Sequence, residues 1–109
     1  MSGNIVIRPE NVATTEGRHV KLKCGIDGNE ERIIWHYSSP GTNRLHQLFV
    51  GLVANTTFGP RFSVHAHNRN LNLDLNIANV HFDDGGTYIC EESATLDATR
   101  GEIIIIGRL

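Results

Sequence analysis

The sequence predicts an all-β sandwich, on three observations. Several short segments alternate apolar and polar side chains, the pattern of a half-buried strand. Clusters of Gly, Pro, Asn and Asp separate them at regular intervals. No stretch keeps a helical period long enough to build a layer of helices.

The elements follow in order. Residues 4–8 are an apolar run ending at Pro9, which has no N–H for a ladder, so an edge strand or its end is expected. Residues 12–15 continue it after a kink. The turn Glu16-Gly17 leads into residues 18–24, where Val20, Leu22 and Cys24 alternate with His19, Lys21 and Lys23. Residues 25–30 read as a polar loop. In the next strand, 32–38, Ile33, Trp35 and Tyr37 share one face, and Ile34, His36 and Ser38 the other. Ser39-Pro40-Gly41 is a turn, and residues 45–53 return as the second strand of the hairpin. Residues 51–59 form a loop with room for a short edge strand.

Residues 61–67 alternate, with Phe62 and Val64 on one side. Leu71, Leu73, Leu75 and Ile77 alternate strictly with Asn72, Asp74 and Asn76, which predicts one face in the core and one in water. Asp84-Gly85-Gly86 is a tight turn, since glycine accepts backbone angles other residues resist. In residues 86–92, Tyr88 and Cys90 oppose Ile89 and Glu91. Residues 93–100 form a polar loop, and 101–106 close the sheet.

Bulk properties exclude several functions. The 109 residues fit one domain. The net charge of −2 leaves no basic stripe for phosphates, so no nucleic-acid partner is expected. No apolar run approaches the roughly 20 residues that span a bilayer. Met1 directly before the first strand suggests a fragment of a larger extracellular or membrane protein, with any leader or membrane anchor lying outside it.

Catalysis is not expected, because no nucleophile, base and orienting group are linked by a motif. His81 beside Asp83 and Asp84 reads as a turn residue. His65 and His67 share a strand face, but no further ligand follows at zinc spacing, so neither metal nor cofactor is implied. Asn55-Thr56-Thr57 is an Asn-x-Thr sequon, a glycosylation site if the chain is secreted. Two distant cysteines in a β pattern read as one disulfide in an oxidising compartment or as two buried thiols.

Trp35 follows Cys24 by eleven positions, and Asp84-Gly85-Gly86-Thr87-Tyr88-Ile89-Cys90 follows later. This set resembles the core of an immunoglobulin domain. The match runs further. Residues 35–41, Trp-His-Tyr-Ser-Ser-Pro-Gly, are similar to a variable-domain hairpin, and residues 101–106 to a joining segment. The resemblance is to the variable-type (V-set) immunoglobulin family and covers nearly the whole chain. It implies a V-set sandwich of two antiparallel sheets with about nine strands. It also implies an inter-sheet disulfide between Cys24 and Cys90, with Trp35 packed on it. Tyr88 would tie down the corner, and Arg61 would pair with Asp84. Ser38 stands where the family's Gln joins two variable domains, and Thr99 where its joining glycine lies, so a relative outside the rearranging antigen receptors is expected.

The implied function is an extracellular, cell-surface or secreted binding module. Its partner would be a protein, through homodimerisation or contact with another immunoglobulin-type domain. Alternation places Ile34, His36, Ser38, Gln47, Phe49, Ile89, Glu91, Ile103 and Ile105 on the outer face of the sheet holding Trp35 and Cys90. Phe49, Ile89, Ile103 and Ile105 there would form an apolar patch with a polar rim, the mark of an interface. The rival site is the end loops, which correspond to the family's three hypervariable loops. Asn29, Glu30, Leu96, Asp97 and Arg100 are its candidates, and Glu30, Glu31, Glu91 and Glu92 would make that end acidic. A third reading is a structural link in a multi-domain immunoglobulin chain.

Overall fold

The computed structural model describes residues 4–27, 33–42, 44–67, 72–95 and 97–107. Among these, eleven strand segments form two packed sheets: β1 (Asn4–Ile7), β2 (Val12–Thr15), β3 (Val20–Leu22), β4 (Gly25–Asp27), β5 (Ile33–Ser38), β6 (His46–Val50), β7 (Val53–Ala54), β8 (Phe62–His67), β9 (Asn72–Ile77), β10 (Gly86–Glu92) and β11 (Ala98–Ile106). The five-stranded sheet runs β1-β4-β9-β3, with β8 also paired to β9. The six-stranded sheet runs β2-β11-β10-β5-β6-β7. All pairs are antiparallel except β2 with β11. The disulfide Cys24–Cys90 ties the sheets together.

Pro9 explains why the first strand changes sheets. It interrupts the ladder, so β1 pairs with β4 and β2 pairs with β11. The start of the expected 25–30 loop is strand instead. Gly25 has no Cβ, and one placed there would lie 2.9 Å from Ile7 Cδ1, so the glycine lets β1 approach β4. The expected 45–53 strand is shorter: it turns at Gly51-Leu52 and returns as β7. A short 3-10 turn, Thr56–Phe58, follows.

The core takes Val20, Leu22 and Ile26 from one sheet and Ile33, Trp35, Leu48 and Tyr88 from the other, with Leu73, Leu75 and Ile77 of β9. Trp35 is fully buried, and its Nε1–H donates to Leu73 O at 3.0 Å, which satisfies the one polar atom of the ring. The β9 pattern departs from simple alternation. Asp74 is buried too, and Asn72 and Asn76 are half-buried, because β9 lies between β8 on one side and β3 and β4 on the other.

Candidate functional site

One end of β10 is pinned by a network around Asp84. Arg61 makes two parallel bonds to its carboxylate, Nη1 to Oδ2 at 2.7 Å and Nη2 to Oδ1 at 3.0 Å. The His81 amide donates to Oδ2 at 2.7 Å. The Tyr88 hydroxyl donates to Asp84 O at 2.6 Å. Burial alone would raise the Asp84 carboxyl, but the Arg61 hydrogen bonds and the His81 amide outweigh it and hold the group below its ordinary value. Burial, then the Asp84 charge, pushes the Tyr88 phenol well up. Tyr37 packs on Tyr88 at 5.0 Å between ring centroids, and its hydroxyl donates to Gly85 O at 2.7 Å. Gly86 then enters β10 at φ 145°, where a Cβ would sit 2.7 Å from Ser38 O. The polar groups of Arg61, Tyr37, Asp84 and Tyr88 in this corner are spent on structure.

The outer face of the six-stranded sheet is different. Cross-strand partners share a face, so the ladders fix its map. Ile89 lies opposite His36 on β5 and Arg100 on β11. His36 lies opposite Gln47 on β6, Glu91 opposite Ile34, and Thr87 opposite Ser38 and Glu102. Ile34, Ser38, Ile89 and Glu91 are half-buried, and Gln47, Arg100 and Glu102 are exposed. His36 Nε2 and Glu91 Oε1 are 3.0 Å apart. His36 points outward yet is only 8% exposed, because this contact and its strand neighbours cover it. Its Nδ1 is buried with no hydrogen-bond partner among the described residues.

Two residues expected on this face lie in the core. Phe49 is 5% exposed and paired with Trp35, on the inner side. A register shift between Trp35 and His36 breaks the alternation of β6, so Leu48 and Phe49 are both buried. Ile103 is 2% exposed, because β11 pairs Gly86 with Ile103 and Tyr88 with Gly101, which fixes odd positions inward. Ile105 is partly buried against the core for the same reason. The exposed isoleucines of β11 are Ile104 and Ile106. The signal was present in the sequence: Arg100 and Glu102 are charged, and Ile104 and Ile106 share their parity.

At the loop end, Asn29, Glu30 and Leu96 lie outside the described residues. Asp97 is exposed, and its Oδ1 accepts from the Ala98 amide at 3.1 Å. Arg100 is not a loop residue, since β11 begins at Ala98 and carries it onto the outer face. Glu92 does not add to an acidic surface either. It is fully buried, and its carboxylate accepts from the Ala94 and Thr95 amides at 2.8 and 2.9 Å and from the Thr95 hydroxyl. Sharing the parity of Tyr88 and Cys90, it points inward and caps the loop.

The family model for the immunoglobulin V-set domain matches residues 7–102. The chain belongs to the immunoglobulin V-set family. A comparison with curated proteins finds no match. V-set domains are in general binding modules rather than enzymes, and one with a disulfide is typical of extracellular or cell-surface proteins. No cluster of metal-ligating side chains occurs among the described residues of this V-set domain, and no helix among them is long and apolar enough to cross a membrane. Asn55 is exposed at the end of β7. Its Nδ2 donates to Gln47 O at 2.9 Å, and its Oδ1 accepts from the Thr57 amide at 3.1 Å.

Proposed function

We propose that this V-set domain is an extracellular protein-binding module, one domain of a larger extracellular or membrane protein. It self-associates through the outer face of β5 and β10, or pairs there with another immunoglobulin-type domain. The observation that carries this reading is the map of that face. Ile34 and Ile89 sit at its centre, beside the covered His36–Glu91 pair, and Gln47, Ser38, Arg100 and Glu102 surround them. An apolar centre with a polar rim is the anatomy of a protein interface. With Phe49 and Ile103 in the core, the apolar centre is small, which suits a transient contact rather than an obligate one. Opposite charges on neighbouring strands, Glu91 on β10 and Arg100 on β11, let two copies related by a two-fold axis pair charge with charge.

Sedimentation velocity over a range of concentrations tests this. The wild-type domain is expected to associate reversibly and Ile89→Asp to remain monomeric; association unchanged by the substitution would refute it.

A second reading is favoured by the cap at Glu92. By accepting from the Ala94 and Thr95 amides, it anchors the start of the loop that follows β10, as a recognition loop requires. In that case, replacing residues 93–97 with glycines removes partner binding and leaves self-association intact.

A further inference from the structure

We propose that a groove at the base of the sandwich is a second binding site, for a peptide or protein segment carrying a basic side chain next to an apolar one. The groove lies at the end of β10 opposite Glu92, between Ser39-Pro40 and the Phe82–Asp84 turn, and holds about 630 Å³. That volume suits a few side chains. Its lining is mainly apolar: Tyr37, Pro40, Phe82 and Ile104 contribute to it. Phe82 is 61% exposed and Ile104 is 55% exposed, so both present large apolar area to water beside a concave surface.

Charge selects the occupant. Asp83 and Glu102 also line the groove, and both are exposed. Neither carboxylate has an ion pair or hydrogen bond among the described residues. No described lining residue is a lysine or arginine. An acidic segment would meet two unpaired negative charges. A lysine or arginine would place its head between them while its methylene stem covers Ile104 or the Phe82 ring. The groove shares Thr87 and Glu102 with the edge of the self-association face but none of its Ile34, His36, Ile89 and Glu91 centre, so Gly85 and Ile104 report on the groove and Ile89 on the face.

The test is an NMR titration of the isotope-labelled domain with acetyl-Lys-Leu-Lys-amide, with acetyl-Glu-Leu-Glu-amide as control. The basic peptide is expected to produce saturable amide shifts at Gly85, Thr87, Glu102 and Ile104, and the acidic one none. Replacing both carboxylates, Asp83→Asn with Glu102→Gln, should weaken binding about tenfold, and salt raised to about 0.5 M should weaken the wild type similarly. Phe82→Ser should weaken it while leaving the salt dependence in place. The proposal is overturned by an absence of saturable shifts, by equal shifts with the acidic peptide, or by shifts centred on Ile89 or Asp97. Shifts at Gly85 and Ile104 that follow domain concentration without peptide would overturn it too, since a second copy would then be the occupant.

Discussion

The two faces of β10 are held in different ways. Inward, Tyr88, Cys90 and Glu92 are buried, and each is committed: the hydroxyl to Asp84 O, the sulfur to Cys24, the carboxylate to the Ala94 and Thr95 amides. Outward, Thr87, Ile89 and Glu91 are half-buried, and the contact Glu91 makes is to His36 on the same face. On the proposed reading, one strand carries both stability and recognition, divided by parity. Substitutions on its inner side should unfold the domain, and those on its outer side should change what it touches.

The largest effect is expected from the disulfide. Replacing Cys24 and Cys90 with alanine opens a loop with a sequence separation of 66. The chain-entropy model gives a loss of about 4 kcal/mol. Thermal unfolding should show a midpoint lower by about 20 °C. A shift of a few degrees would mean that the packing around Trp35 holds the sheets without the bridge.

Asp84→Ala comes next, at about 2–4 kcal/mol by chemical denaturation, because it leaves Arg61 and the His81 amide without their acceptor. Here pH sharpens the contrast. The folded Asp84 carboxyl lies below its ordinary value. Its contribution is therefore fully present above the ordinary carboxyl range and is lost as pH falls through the folded value, below about pH 4. Asp84→Asn should flatten that acid limb of the stability curve, while Glu91→Gln on the outer side should leave it in place. Glu92→Ala, which frees the Ala94 and Thr95 amides, should cost about 1–2 kcal/mol and raise amide exchange at both. Ile89→Asp should have the smallest effect on stability, within about 1 kcal/mol, yet remove self-association.

Most of the fold was legible because its signals are local. Alternation in β3, β5 and β10 and the turn at Asp84-Gly85-Gly86 lie within a few residues of one another. The outer face was harder to read, since its composition depends on pairing between strands. A register shift in β6 turned Phe49 inward, and nothing in the string His46-Gln47-Leu48-Phe49-Val50 marks where alternation breaks. Four consecutive isoleucines, Ile103 to Ile106, carry no alternation among themselves, so the only sequence signal for their phase is the charged Arg100 and Glu102 before them, which the ladder with β10 bears out. Glu92 shows the opposite error: parity placed it inward, but its charge argued for solvent, and the amides of its own turn resolved the conflict. The base groove had no sequence signal, because it joins two turns far apart in the chain.

The most direct measurement is methyl NMR of the isoleucines as the domain is diluted from millimolar to micromolar. If the outer face of β5 and β10 is where two copies meet, the Ile34 and Ile89 methyl resonances shift together along a dimerisation curve while buried Ile77 stays fixed. If Ile34 and Ile89 hold constant over that range while other isoleucines move, or if none moves, self-association through this face is contradicted.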